Sequence, residues 1–310
     1  MTLFTDTFLI ALLAGVVAAG VPLLLAGLGE QLSEKAGVLN VGIEGMMLGG
    51  AYAGFLVAWA TESIGLGFLA GAFGGLLVAA LMVLFCVRLG LNQVVIGIAL
   101  TLGAEGTTAL LHHVQFSRLY PRLPEVPTWR IPGLADIPIV GPALFDREPV
   151  VYLALALVPL FAWLYRRTHL GLAIQAAGDK PAALDSAGEN VLAIRALAVL
   201  GCGALVGLGG AFMSIAGAGV FVPFMTHGNG FIGIVLAMLA RGRPLWVLLG
   251  AALFGACLSG STALQVAGVD IPTDVVQMLP FAAVMLVLLI AGRNAKLPSA
   301  LGAAYVRGER

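Results

Sequence analysis

Nine apolar runs dominate this chain, at 8–28, 42–60, 65–86, 91–113, 149–165, 193–216, 229–241, 244–263 and 273–291. A helix needs about 20 mostly apolar residues to cross the hydrocarbon layer of a bilayer, and most of these runs have that length. Of the 310 residues, 60% are hydrophobic and 10% charged, where soluble domains carry about 25% charge. The mean hydropathy is +1.03. The expected fold is therefore an all-α polytopic membrane protein, with about eight to ten transmembrane helices in one domain over 1–295 and a cytoplasmic tail at 296–310. Sixteen basic residues balance sixteen acidic ones, so nothing in the charge favours nucleic acid as a partner. Membrane lipid is the solvent to expect. No Lys or Arg precedes the first run, which is thus expected to stay as a membrane helix rather than leave as a cleaved signal.

Basic residues orient the spans, because cytoplasmic loops hold the excess of Lys and Arg. Arg88, the loop with Arg166, Arg167, Lys180 and Arg195, the pair Arg241 and Arg243, and the tail with Arg293, Lys296, Arg307 and Arg310 fall on one side. This places 166–192 in the cytoplasm and turns the N-terminus outward. The loop 114–148 then lies outside, balanced in charge and rich in proline, as a compact cap would be.

Glycine-rich stretches at 27–42 and 216–230 are expected to break the helices, which a membrane tolerates only where protein or a water-lined cavity covers the freed backbone. Residues 67–85 resemble 244–260, and the polar-headed spans that follow, 90–103 and 271–284, match in turn. Opposite orientations make this an inverted repeat with broken helices, the architecture of transporters whose path runs between the halves.

Few polar groups interrupt the runs. Asn40 and Glu44 stand in "NVGIEGMMLGGAYAGF" at 40–55. One reading puts Glu44 in solvent at the cytoplasmic end of its span, beside Glu30, Glu34 and Lys35, with Asn40 and Glu44 organising the first turn of their own helix. The other puts Asn40, Glu44, Asn92 and Gln93 along a substrate path, offering hydrogen bonds to an uncharged solute. A charged group kept at mid-membrane costs several kcal/mol and faces protein or water. Gly45, Gly49, Gly50 and Gly54, Gly71 and Gly75, and Gly203 and Gly207 form small-residue faces suited to close helix approach. His112 and His113 read as solvated residues at the external interface. Cys86, Cys202 and Cys257 lack partners at metal or redox spacing and read as packing residues.

Outside the membrane, "GDKPAALDSAGENV" at 178–191 has Asp179 as a helix cap and Pro181 in the first turn. Ala183, Leu184, Ala187 and Val191 share one face of this short helix. With little apolar bulk and no basic face it suits a soluble partner better than a lipid surface. The chain has no GxxxxGK[ST] phosphate loop, no GxGxxG turn, no Ser/His/Asp set and no HExxH. It is expected to be a transporter subunit rather than an enzyme, without metal or cofactor, drawing its energy from another protein.

"GEQLSEKAGVLNVGIEGMMLGGA" at 29–51 and "GDKPAALDSAG" at 178–188 together resemble the permease subunits of bacterial ABC importers in the branched-chain amino acid, ribose and nucleoside group, nearest to nucleoside or simple-sugar permeases. The resemblance covers roughly 8–295. It implies a bacterial inner-membrane, multi-pass protein, with ATP bound and hydrolysed by a cytoplasmic ABC ATPase. A second permease chain, in a heterodimer, and an extracytoplasmic solute-binding protein or lipoprotein are implied as further partners. It also implies that Asp179, Pro181, Ala182, Ala183, Ser186, Gly188 and Asn190 form the segment that docks on the ATPase, with Leu184 on the same short helix. Glu189 departs from the family, which commonly has an aliphatic residue there. Two alternatives stand beside this expectation: a stand-alone channel or secondary transporter, and an ABC permease for branched-chain amino acids.

Overall fold

The computed structural model describes residues 6–117, 119–266 and 297–306, with Met278, Ala282 and Met285 between the last two stretches. The ninth run, 273–291, and with it the 271–284 half of the repeat, lies outside the described residues. Each of the other eight runs is a helix. They are α1 (Asp6–Lys35), α2 (Ile43–Thr61), α3 (Ile64–Met82), α4 (Gln93–Phe116), α6 (Pro149–Arg167), α9 (Val191–Phe212), α10 (Asn229–Leu239) and α11 (Pro244–Val266). A single turn, α5 (Val140–Leu144), and two helices in the 166–192 loop, α7 (His169–Asp179) and α8 (Pro181–Ser186), complete the set. Six helices are long and apolar enough to span a membrane among the described residues. The protein is an all-α multi-pass membrane protein.

Glycine decides how the centre packs. α3 lies against α2 and α9, and α2 also meets α9. At this triple crossing Gly50, Gly75 and Gly207 bring backbone against backbone. A Cβ on Gly75 would come 2.6 Å from the Gly207 Cα, and one on Gly207 would come 2.8 Å from the Gly75 Cα. The small-residue faces read from the sequence are thus each other's partners. Lipid offers no hydrophobic drive to bring helices together, so this close approach, with its dispersion contacts, holds the bundle. Around it lie Met46, Met47, Met82, Cys86 and Cys202, all buried. A second core of Leu23, Leu24, Leu28, Phe212 and Phe254 joins α1 to α9 and α11.

The two expected breaks differ. The one at 216–230 is present: α9 ends in a π-helical turn at Met213–Gly217, and the chain is non-helical until Gly228, where α10 begins. Its 11 residues rise only about 16 Å, too little to cross, so α10 is a half-helix. α3 likewise ends in a π-helical turn, Val83–Arg88. The break at 27–42 begins later than expected, because α1 continues without interruption to Lys35. Its last turns carry Glu30, Gln31, Ser33 and Glu34, all buried against the rest of the bundle. Tertiary cover, from α6, α7 and α9, extends the helix beyond its apolar run.

The basic end of the protein is one surface. Lys35 lies over the Tyr165 ring, 4.7 Å from its centroid, and shares a cleft with Asp179, Arg241 and Pro298. Residues 297–306 lace this end together: Ala300 N–H donates to the Gly178 carbonyl, Gly302 N–H to that of Gly37, and the Ala303 carbonyl accepts from Arg195 Nη1 at 2.7 Å. At the opposite end the 114–148 loop is a small cap. Strands β1 (Trp129–Arg130) and β2 (Asp146–Arg147) pair antiparallel, and Tyr152 Oη donates to the Trp129 carbonyl at 2.9 Å. Arg130 and Asp136 form the one ion pair among the described residues.

Candidate functional site

Glu44 is not in solvent. It is 3% exposed, and its carboxylate reaches across the bundle to the start of the half-helix α10. Oε1 accepts the Gly228 N–H at 2.8 Å and Oε2 the Gly230 N–H at 2.7 Å. The first N–H groups of any helix lack intrahelical partners, and they form the positive end of its dipole. Here that end is partly buried, and its Gly230 N–H fully so. A carboxylate supplied by α2 satisfies it. Gly228 takes φ +84° to turn the chain into the helix, and Gly230 leaves room for the carboxylate, since a Cβ there would sit 2.7 Å from Oε2. The expectation that Glu44 organises the start of its own helix is corrected: α2 begins at Gly42 with no side-chain cap. Glu30 and Glu34, beside which a solvated Glu44 was expected, are buried as well.

Asn40 sits at the other side of the 36–42 turn, fully buried. Its backbone N–H donates to Glu30 Oε1 at 3.1 Å, and its Nδ2 reaches Met46 Sδ at 3.2 Å and Cys202 Sγ at 3.4 Å. Gln93 pins the same turn from α4, its Oε1 accepting the Leu39 N–H at 2.8 Å, while Ser33 Oγ donates to the Val38 carbonyl at 2.8 Å. Asn92 caps α4, with Oδ1 accepting from the N–H groups of Val94 and Val95. The four polar residues singled out from the sequence therefore do not form one cluster. Asn40 and Gln93 meet at the turn, Glu44 holds α10, and Asn92 is exposed at the head of α4.

At the end that bears the 114–148 cap His113 is exposed, as expected, but His112 is buried. It stacks on Tyr120 with ring centroids 5.2 Å apart and packs against Phe116 and Phe221, beside Tyr52, Phe55 and Trp59. The helix turn carries it inward along the α4 stripe of Thr101, Thr108 and Phe116, a periodicity that the position of the residue at the run's end conceals.

On the basic end, α8 is a single exposed protrusion on a buried anchor. Leu184 turns inward onto Ala177 and Val191, with Tyr305 of the 297–306 segment packed against them. Ala182, Ala183, Ser186 and Ala187 are exposed and Pro181 is half-buried. Asp179 does not cap α8. It closes α7, its carbonyl accepting the Ser299 hydroxyl, and Lys180 occupies the cap position without a side-chain bond. Gly188, at φ +90°, turns the chain out of α8, and Asn190 caps α9 through Oδ1 to the Ala193 N–H at 3.0 Å. The preceding helix α7 is a feature that the sequence reading missed. Its Gly171, Ile174 and Ala177 recur at helical spacing, and Thr168 caps it.

A second omission is Glu105. It lies at the middle of α4, about 18 Å along the helix from Gln93 and about 16 Å from Phe116. A carboxylate so placed, among Gly103, Gly106 and Thr107, is visible in the sequence as the acidic residue deepest within any span. A charge at that depth costs about 2.5 to 3.5 kcal/mol on insertion scales if lipid surrounds it. Glu105 is partly exposed.

A bundle of broken helices that closes one half-helix end with an internal carboxylate, and presents a short helix on its basic surface, is the build of a membrane permease. Comparison with known proteins agrees. Residues 12–289 match the family described as branched-chain amino acid transport system / permease component, and the chain belongs to that family. It is 41% identical over 251 residues to a putative glucose ABC transporter permease protein of Haloferax volcanii, covering 80% of this chain and 76% of that one. It is 30% identical over 310 residues to the nucleoside ABC transporter permease protein NupC of Lactococcus lactis, 96% and 97% of the two chains. It is 31% identical over 301 residues to the guanosine ABC transporter permease protein NupQ of Bacillus subtilis, 93% and 94% of the two. The protein is an ABC-type permease subunit.

Proposed function

We propose that this subunit forms one half of the translocation path of an importer for nucleosides, with ATP hydrolysed by a separate cytoplasmic ATPase. The observation that carries the coupling is α8: a six-residue helix whose Leu184 is anchored inward while Ala182, Ala183 and Ser186 face out. Motion imposed on such a knob passes directly to α7 and α9, which it packs against. Leu184 therefore serves as the anchor, and Pro181, Ala182, Ala183 and Ser186 as the docking face, with Asp179, Gly188 and Asn190 shaping its two ends. A second permease chain, in a heterodimer, and an external binding protein or lipoprotein complete the assembly. Full-length likeness to permeases named for nucleosides and guanosine supports the substrate.

Ala183→Arg tests the coupling. Co-purification of the ATPase should be lost while the thermal unfolding of the membrane part is unchanged; retained association would overturn the docking role. A sugar is the second reading, favoured by the identity to the permease named for glucose. ATP-driven uptake of tritiated guanosine and of labelled glucose by the assembled importer separates the two. Solute flux through this chain alone, in vesicles without ATPase or nucleotide, would overturn both in favour of a channel or secondary transporter.

A further inference from the structure

We propose that the α4 face around Glu105 lines the water-filled path, and that the Glu105 carboxylate accepts hydrogen bonds from a pair of adjacent hydroxyls on the passing solute. The proposal deepens the importer reading and rests on it.

Two observations carry this assignment. First, Glu105 is at mid-span and partly exposed, and its carboxylate has no hydrogen-bond or ion-pair partner among the described residues. Glu44 and Glu30, also within the bundle, behave differently: both are buried and bonded. Second, α4 is the least covered of the six candidate spans among the described residues, with 17% of its apolar window buried. Acyl chains do not tolerate an ionised group at this depth, so water or protein must cover it in the assembled importer. None of the described residues provides a structural partner.

The chemistry selects the ligand class. An ionised carboxylate accepts and cannot donate, and its two oxygens suit two parallel donors. Adjacent O–H groups, as on a ribose or a hexose ring, present that pattern. The same charge repels a phosphate, so phosphorylated forms of the solute would be turned away. Glu44 neutralises the α10 end, a helix terminus that would otherwise attract an anion.

The test uses the complete importer in proteoliposomes. With Cys257→Ser removing the thiol that is not buried, Glu105→Cys should react with a membrane-impermeant thiol reagent, and millimolar guanosine should slow that reaction. Glu105→Gln, which replaces one acceptor by a donor, should slow ATP-driven uptake of tritiated guanosine by about tenfold or more, the loss of one charge-assisted hydrogen bond. Complex yield should be unchanged, and Glu105→Asp should recover part of the rate. An unreactive Glu105→Cys would mean that lipid or the second chain covers the face, and would overturn the proposal. So would wild-type uptake by Glu105→Gln. Wild-type importer that moves guanosine without ATP would sink the importer reading instead, a result the thiol assay does not depend on.

Discussion

α2 and α4 are neighbours of similar composition, and each carries one carboxylate, yet they are used in opposite ways. α2 has 67% of its apolar window buried and α4 has 17%. On α2, Glu44 has both oxygens bonded to backbone N–H groups of another helix; on α4, Glu105 has no partner among the described residues. A satisfied intramembrane carboxylate is part of the scaffold, because its negative charge is balanced by a helix end and its lone pairs are filled. An unsatisfied one that is partly exposed needs a partner from elsewhere. The contrast separates the element that holds the permease together from the one that meets what it carries.

Substitutions can break this contrast, and their effects should fall in a definite order. Gly207→Val, at the crossing beneath α2, should be worst. Its side chain would meet the α3 backbone, and overpacking that cannot relax costs about 3 kcal/mol or more, so no monodisperse protein should survive detergent extraction. Glu44→Ala comes next. It strands the buried Gly230 N–H, at about 1 to 3 kcal/mol, and the part-buried Gly228 N–H at less, visible as a lowered midpoint of thermal unfolding in detergent, and Glu44→Gln should recover part of the loss by accepting one of them. Gln93→Ala strands only the Leu39 N–H, at about 1 to 2 kcal/mol. Asn92→Ala removes the α4 cap and should lower stability by about 1 kcal/mol. Uptake at the wild-type rate in the two α4 variants, with the complex intact, would remove Asn92 and Gln93 from the path. Glu105→Leu should change stability least, within about 0.5 kcal/mol, because its carboxylate makes no bond to the described residues. If Glu105→Leu unfolded the protein and Glu44→Ala did not, the assignment of scaffold and path to the two helices would be reversed.

A similar division appears at the basic surface. The inward Leu184 and the outward Ala183 are adjacent in sequence, on one short helix. Leu184→Arg would bury a charge among Ala177, Val191 and Tyr305 and disturb the whole layer, whereas Ala183→Arg alters only the exposed surface. The difference makes Ala183 the cleaner probe of the ATPase contact.

Much of the architecture was legible in the residues themselves. Apolar length defined the spans within the described residues, since a bilayer demands about the same run of any helix. The glycine spacing marked the faces of close approach, and the stretch at 216–230 marked the break before α10. The motif at 178–188 located the protruding helix. What periodicity could not supply was the partner of each polar group. Glu44 caps a helix nearly two hundred residues further along the chain, and the cover that keeps Glu30 and Glu34 dry comes from helices far away in sequence. Both facts depend on which surfaces meet. Local sequence determines which segments enter the membrane, because transfer into lipid depends on the segment alone. Only the tertiary structure decides which carboxylate is satisfied, because a hydrogen bond belongs to two residues and one sequence position specifies only one of them.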